Sequence, residues 1–340
     1  MKVGSGQAVG SSPTPALAEQ AVREALARAG LTRAERVLLF LSKDFARQLP
    51  ATLRAAAAAA TCLQIDGCSA NGVLSDQGWQ IDRSAAVALV FSELPKTGAA
   101  SPLLSFSGQG RLAWDWQDDT ARIGLVDSDT RAWQQARENG DARCQFALPG
   151  LRCTPLLSRG LRRIGERQTV SVADAHELRR LESGSAADSL LRALPGELRE
   201  RPPIHQLCLL RDPAEPGIGV LSLNSDGSLT LTAALQAGDQ FDWAIRQPLA
   251  AEQEMRQLLD GARTQTRPEF ALMLSCIGRG PLFYGGDDRD LALFRETFPD
   301  LPMIGAYGIG QIFPGEQGNR LFHNAVLTLL YERNDVQPLP

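Results

Sequence analysis

Three residues of this 340-residue chain could take part in covalent chemistry. Cys68 and Cys276 are candidate nucleophiles, because a cysteine thiol becomes reactive when its pKa is lowered and a base lies within reach. His323, just before the last apolar run of the chain, is the candidate base. These residue types therefore allow a cysteine-dependent enzyme, while the distance between them stays open at this stage.

A second group of residues could bind a ligand without reacting with it. Two glycine motifs, at residues 65–74 (IDGCSANGVL) and 303–312 (MIGAYGIGQI), each repeat a glycine after five positions. Glycine has no Cβ, so a ligand or another backbone can approach its main chain closely. Arg279, in the segment SCIGRG, has a planar guanidinium that suits a carboxylate or a phosphate. The structural alternatives are a tight turn that packs strands together, a buried thiol and a solvated arginine.

The elements that must position these residues follow the same order in both halves of the chain. Each half begins with a short apolar run typical of a buried strand, followed by a predicted helix, the glycine motif and a second apolar run. The runs are 37–42 and 270–276, the helices 49–62 and 288–298, and the second runs 85–92 and 325–331. Because a whole supersecondary series recurs, the sequence predicts that the two halves share one structural unit.

Further helices and a hairpin complete the prediction. Residues 16–29 and 249–261 have the apolar spacing of amphipathic helices. Residues 220–233 alternate about Asp226-Gly227, a strong hairpin signal because both turn residues tolerate positive φ. The sequence thus predicts an α/β fold with mixed α+β elements, made of two related halves and a central hairpin region. Residues 93–150 are expected to be irregular or inserted structure.

Composition and charge exclude several classes of function. The formal net charge is −4, so nothing attracts the whole molecule to nucleic acid or to an anionic membrane. No run of 18 apolar residues exists, and the N-terminus lacks the apolar segment of a signal peptide. The six cysteines form no CxxC pair and no zinc-like grouping. We therefore expect a cytoplasmic protein with reduced thiols, no metal site and no nucleic-acid or membrane partner.

The glycine motifs and their neighbours resemble the FIST family of bacterial sensory proteins. The resemblance rests on the segments GCSANGVL, SCIGRG, MIGAYGIGQIFP and NRLFHNAVLTLLY and covers residues 30–335. It implies an N-terminal FIST region at 16–195 and a C-terminal FIST region at 204–335. A Pro-rich linker at 196–203 would join them, and residues 1–15 would form a flexible N-terminus. Members of the family are described as intracellular sensors of small molecules, proposed to include amino acids.

The resemblance leads us to expect a ligand site where the two motifs and the Arg279 segment converge. The candidate ligand-binding residues are Gly67, Cys68, Ser69, Asn71, Gly72, Cys276, Arg279, Gly305, Tyr307, Gly308, Gly310, Gln311, His323 and Asn324. Family motifs commonly end in Gly-Glu-Ile, whereas this chain has Val73 and Gln311 in place of the two acids. Where that acid contacts a ligand ammonium in relatives, the ligand here is expected to differ.

The sequence therefore predicts a small-molecule-binding sensory protein without catalysis. It is expected to need no cofactor and either to signal through a separate partner protein or to act alone as a binding protein, since no kinase, cyclase or methyl-accepting region follows the second motif. Two alternatives stay open: the cysteine-dependent enzyme, and a non-covalent haem or nitric-oxide sensor with His323 as axial ligand. The haem alternative comes from one branch of the FIST family that has been linked to haem.

Overall fold

Strands and helices alternate along most of the chain. The computed structural model describes residues 1–95, 101–212, 214–316 and 318–334. The strands before residue 160 are β1 Val3–Gly10, β2 Arg36–Ser42, β3 Ile65–Ala70, β4 Gly72–Ser75, β5 Gly78–Ile81, β6 Ser84–Phe91, β7 Leu103–Ser107, β8 Arg122–Val126, β9 Ala132–Gln134, β10 Arg137–Glu138, β11 Arg143–Phe146 and β12 Leu151–Ser158.

The later strands and the helices follow in the same way. These strands are β13 Leu161–Asp174, β14 Glu177–Leu181, β15 Gly184–Ser185, β16 Leu207–Leu210, β17 Ile218–Leu223, β18 Leu229–Leu231, β19 Gln240–Arg246, β20 Phe270–Cys276, β21 Met303–Gly308, β22 Gly310–Gly315, β23 Gly318–Phe322 and β24 Val326–Arg333. The helices are α1 Pro15–Ala29, α2 Leu49–Ala60, α3 Ala186–Ala193, α4 Gly196–Arg199, α5 Pro248–Gln265 and α6 Arg289–Thr297. This mixture confirms the predicted α/β class.

The chain divides into two units, one of which is inserted into the sequence of the other. The main unit contains residues 1–159 and 255–340, and the inserted unit contains residues 160–254. These units are defined by contacts and do not coincide with the predicted FIST regions, whose division of the chain stays a prediction. The C-terminal boundary of that prediction, Asp335, lies outside the described residues.

The main unit contains one supersecondary series twice. In the first copy the strand order is β1-β6-β2-β3, and in the second it is β12-β24-β20-β21. In both copies the last two strands are parallel to each other and the other neighbours are antiparallel. Helix α2 joins the parallel strands of the first copy, and α6 joins those of the second. The predicted sharing of one unit by the two halves is confirmed.

Alternating side chains explain why both central sheets are buried on both faces. Along β2, Leu38 and Phe40 point into a core that the two sheets share, with Leu272 and Leu274 of β20 opposite. The intervening side chains of β2 pack instead against α1 and α2 on the outside. The second sheet packs in the same manner against α5 and α6. The main unit is therefore layered, with helices outside and two sheets inside.

The N-terminus differs from its prediction. Residues 3–10 form β1, which pairs along its whole length with β6 and lies against α1, so they are not a flexible arm. A Cβ at Gly4 would overlap the Ala25 carbonyl oxygen of α1, and one at Gly6 would overlap that of Ala21. The glycines that suggested mobility are there because helix and strand pack very closely.

The segment after the first copy also has more regular structure than predicted. Strands β7 to β11 lie within residues 93–150, and β7 and β8 belong to a sheet of order β11-β7-β8-β22-β23. Phe106 and Phe146 of this sheet contribute to the shared core. The strands are short, so their apolar residues are too few to give a clear period in the sequence.

The inserted unit is a closed ring of six strands. The order is β13-β19-β16-β17-β18-β14, and β14 pairs again with β13. Apolar side chains such as Phe241 and Trp243 fill its interior. The predicted hairpin is present as β17 and β18. The predicted linker at 196–203 lies inside this unit and includes the short helix α4.

No helix in the described part of the chain is both long and apolar enough to cross a lipid bilayer.

Candidate functional site

A cleft of about 490 Å³ opens in the main unit where strands of the first copy end. Its walls are the end of β1, the segment Ser42–Asp44 at the end of β2, Asn71 after β3 and the segment Ile81–Ser84 that connects β5 to β6, with Ile277 from the second copy. Strands β2 and β3 are parallel, so their carboxyl ends lie at the same edge of the sheet. Ligands of open α/β sheets commonly bind at this edge.

Charged side chains of both signs line the cleft. Lys43 and Arg83 supply cationic groups, and Asp44 and Asp82 supply carboxylates. The Asp44 carboxylate accepts hydrogen bonds from the Ser42 hydroxyl at 2.6 Å and from the Ser84 hydroxyl at 2.5 Å. These bonds fix its position on the wall. The arrangement can bind a small molecule that carries both an anionic and a cationic group.

Asn71 connects the cleft to a buried carboxylate. Its side-chain Oδ1 accepts a hydrogen bond from Lys43 Nζ at 2.9 Å, and its Nδ2 donates to Asp127 Oδ1 at 2.6 Å. The Asn71 backbone N–H donates to Asp127 Oδ2 at 2.8 Å. Asp127 is 2% exposed, and its burial raises the pKa of the carboxyl to about 6. A cleft residue is thus tied to a group that titrates near neutral pH.

The two glycine motifs adjoin each other as paired strands. Strand β4, which contains the end of the first motif, is antiparallel to β21 of the second, with Gly72 opposite Tyr307. The Asn71 N–H also lies 3.1 Å from the Tyr307 carbonyl oxygen. Backbone groups of each motif therefore form hydrogen bonds with the other motif. Of the predicted motif residues, Asn71 lines the cleft.

Arg279 and Tyr307 lie in a buried polar network. Arg279 is 1% exposed and donates to Asp290 Oδ1 at 3.0 Å and to the Tyr284 hydroxyl at 3.1 Å. Tyr307 donates to Asp288 Oδ2 at 2.5 Å. Burial raises the pKa of Asp290 to about 6, although the adjacent guanidinium opposes this rise. The Arg279 charge is therefore neutralised inside the protein.

The two candidate nucleophiles have different surroundings. Cys68 lies in the shared core, and burial raises the pKa of its thiol well above the usual value, which opposes a thiolate. Cys276 Sγ lies 3.4 Å from the Ile309 carbonyl oxygen, and His323 Nδ1 lies 2.8 Å from the same oxygen. These two side chains therefore lie close together. The enzyme alternative keeps Cys276 and His323, while the Cys68 environment does not favour it.

The remaining predicted residues pack within the main unit. Ser69 Oγ accepts a hydrogen bond from the Arg131 N–H at 2.8 Å, and Asn324 lies beside Gly278. Gln311 is fully buried, and neither of its amide atoms has a hydrogen-bond partner among the described residues. The remaining glycines, which lie in strands, are Gly67, Gly305, Gly308 and Gly310.

Sequence reasoning missed most of the polar wall of the cleft. Ser42 is the last residue of the apolar run VLLFLS, and Lys43 and Asp44 directly follow it. Asp82 and Arg83 are separated from the run AAVALVF by Ser84 alone. Charged residues at the carboxyl end of a predicted buried strand are a usable signal for a site. Lys43 and Asp44 give this signal, although they lie outside both glycine motifs.

Comparison with known proteins finds relatives and a family model that are similar to part of the chain. An uncharacterized protein of Mycobacterium bovis and one of Mycobacterium tuberculosis are each 28% identical over 182 residues, which is 49% of this chain and 47% of theirs. Another uncharacterized protein of M. tuberculosis is 25% identical over 195 residues, or 51% of this chain and 49% of its own. This chain thus spans about half the length of the curated relatives it matches.

A family match covers residues 186–314 and carries the description FIST C domain. The matched segment begins with α3 in the inserted unit and ends in β22 of the main unit, so it contains the predicted linker. It also contains the second glycine motif and the Arg279 segment. Residues 186–314 are therefore similar to the FIST C domain, as the resemblance of the motifs had indicated.

Proposed function

We propose that this chain is a small-molecule-binding sensory protein whose ligand binds in the cleft of the first copy. The ligand class we propose is an amino acid or a related zwitterionic metabolite. The observation that carries the proposal is the presence of Lys43 and Arg83 together with Asp44 and Asp82 on the walls of one cleft. A carboxylate would face the cations, and an ammonium would face the carboxylates.

The size of the cleft agrees with this ligand class. Small-molecule sites typically have volumes of roughly 300–1,000 Å³ and a few convergent polar groups. A cleft of about 490 Å³ lies within that range and is large enough for an amino acid. The apolar wall from Ile81 and Ile277 would contact the ligand side chain.

The similarity of residues 186–314 to the FIST C domain supports the sensory role, because the FIST family is described as one of signal-transduction domains. Asn71 lies at the cleft and also at the junction between the two glycine motifs. A ligand that prefers one arrangement of this junction would shift the population toward it. We propose that a separate protein partner reads this shift.

The proposal is tested by ligand binding to wild type and to Arg83→Ala. A thermal-shift panel of amino acids, amines, carboxylates and haemin identifies the ligand class, and calorimetry then gives its affinity. Removing a guanidinium–carboxylate contact should weaken binding by about tenfold or more. Arg23→Ala, an exposed arginine of α1 that pairs with Glu19, is the matched control and should bind as wild type does.

Two results would contradict the proposal. A ligand whose affinity is the same in Arg83→Ala and wild type would bind elsewhere. A panel in which only haemin stabilises the protein and gives a Soret band would favour the haem alternative.

A further inference from the structure

We propose that Asp127 is a positioning residue whose ionised carboxylate holds Lys43 on the wall of the cleft by fixing the amide of Asn71. This inference rests on the proposed function, because it concerns how the same cleft is set for its ligand. Asp127 itself does not line the cleft, so it would act only through its hydrogen bonds.

Among the described residues, the hydrogen-bond donors to the Asp127 carboxylate are N–H groups. Oδ1 accepts from Asn71 Nδ2 at 2.6 Å and from the Ser128 N–H at 2.9 Å, and Oδ2 accepts from the Asn71 N–H at 2.8 Å. An ionised carboxylate only accepts hydrogen bonds, so these three N–H donors stabilise the ionised form of Asp127. The ionised form therefore defines which way the Asn71 amide points.

The orientation of Asn71 in turn places Lys43. With Nδ2 directed to Asp127, the other end of the amide, Oδ1, faces the cleft and accepts from Lys43 Nζ at 2.9 Å. An amide has one acceptor end and one donor end, so reversing it would present N–H groups to an ammonium. Lys43 would then lose this acceptor.

Protonation of Asp127 favours that reversal. The protonated oxygen of a carboxyl group is a hydrogen-bond donor. Where it faces an N–H group, two donors meet and the hydrogen bond between them is lost. The N–H groups of Ser128 and Asn71 belong to the backbone and cannot rotate. The Asn71 side-chain amide can rotate, and after rotation its oxygen accepts from the carboxyl O–H.

The surroundings of Asp127 determine the pH at which its carboxyl group is protonated. Burial is the main reason that its pKa is raised to about 6. Lys43 opposes the rise and Asp129 adds to it, while burial raises the pKa of the Cys68 thiol in β3, so that this thiol adds no negative charge near pH 6. Lowering the pH through 6 would therefore neutralise Asp127 before ordinary exposed carboxylates.

The direction of the effect on binding follows from the contact that is lost. A ligand carboxylate held by Lys43 should bind more weakly when the ammonium is no longer fixed at the wall. Neutralising Asp127 also removes a nearby negative charge, which would favour an anion. We expect the lost positioning to outweigh this effect, because Asp127 does not line the cleft and Asn71 lies between it and Lys43.

The first experiment needs no ligand. In an NMR titration from pH 7.5 to pH 5, the Asn71 side-chain amide and the Lys43 ammonium of wild type should shift together with a midpoint near 6. Asp127→Asn should abolish the shift, and Asp129→Asn should retain it. Wild-type signals that stay unchanged across this range would overturn the proposal, even if the Asp127 variant failed to fold.

The second experiment measures binding with L-alanine as the zwitterionic probe. Calorimetry should show an affinity about tenfold lower at pH 5 than at pH 7.5 for wild type, as expected for loss of one charge-assisted contact. An affinity that is flat or higher at pH 5 would overturn the proposal. If L-alanine binds at neither pH, the proposed function fails for that probe, and the ligand-free titration still decides the role of Asp127.

Discussion

A single glycine allows each parallel strand pair in the described residues to form. Gly67 lies opposite Leu39, Gly305 opposite Met273, and Gly124 opposite Ser105. A Cβ at any of these glycines would overlap the carbonyl oxygen of the residue opposite. The first glycine of each motif is therefore explained by strand packing. Evidence for ligand binding comes from other residues.

Gly305→Ala should strongly destabilise the main unit. The new methyl group would meet the Met273 backbone, which cannot rotate away as a side chain can, so β20 and β21 would have to separate. We expect a loss of about 3 kcal/mol in the free energy of unfolding, typical of overpacking in a core. Urea unfolding monitored by circular dichroism measures this loss.

The matched control for this substitution is Gly261→Ala. Gly261 lies in α5, and a Cβ there would have no heavy atom within 4 Å. Alanine should raise stability by about 0.5–1 kcal/mol, because glycine is the poorer helix former. Equal effects of the two substitutions would show that the close approach at Gly305 does not exist in solution.

At the scale of elements, the strands and helices that have strong apolar patterns are the ones that the sequence predicts. The runs around both motifs are long and continuous, so the strands, helices and their duplication were predictable. Strand β1 was missed because its glycines, required by close helix packing, look like a mobile segment. The cleft was only partly predicted, since the approach of Asn71 to Asp127 depends on contacts between residues 56 positions apart.

The duplication indicates that the inserted unit can be removed. In the first copy four residues, Ser-Ser-Pro-Thr, join β1 to α1, which begins at Pro15. In the second copy residues 159–247 stand between β12 and α5, which begins at Pro248. The Gln247 N–H lies 3.4 Å from the Gly160 carbonyl oxygen, so the two ends of the insertion are adjacent.

Replacing residues 161–247 with Ser-Ser-Pro-Thr should therefore leave a folded main unit. The sheets and helices of both copies keep their own core residues in this variant. We expect a monomer with a cooperative thermal transition and a near-ultraviolet circular dichroism signal. A variant that is expanded and binds a hydrophobic dye would show that the main unit requires the inserted unit. A randomised four-residue linker of the same length serves as the control for linker composition.

At the scale of the whole molecule, buried carboxyl groups couple the stability of the protein to pH. Burial raises the pKa of Asp127 and of Asp290, each to about 6, and also raises that of Asp288. A carboxyl group with a raised pKa binds its proton more tightly in the folded state than in the unfolded state. Ionisation of these groups therefore opposes folding at neutral pH, and protonation relieves that opposition.

The free energy of unfolding should accordingly increase as the pH falls from 7.5 to 5. The folded state takes up protons near pH 6, whereas the unfolded carboxyls remain ionised until about pH 4. One pKa unit corresponds to about 1.4 kcal/mol, so we expect a total gain of about 1–3 kcal/mol. Asp127→Asn should reduce this gain, whereas Asp118→Asn should not, because the exposed Asp118 has a lowered pKa and titrates only at more acidic pH. Urea unfolding at a series of pH values measures the slope, and stability that falls steadily below pH 7.5 would show that these carboxyls are hydrated in the folded protein.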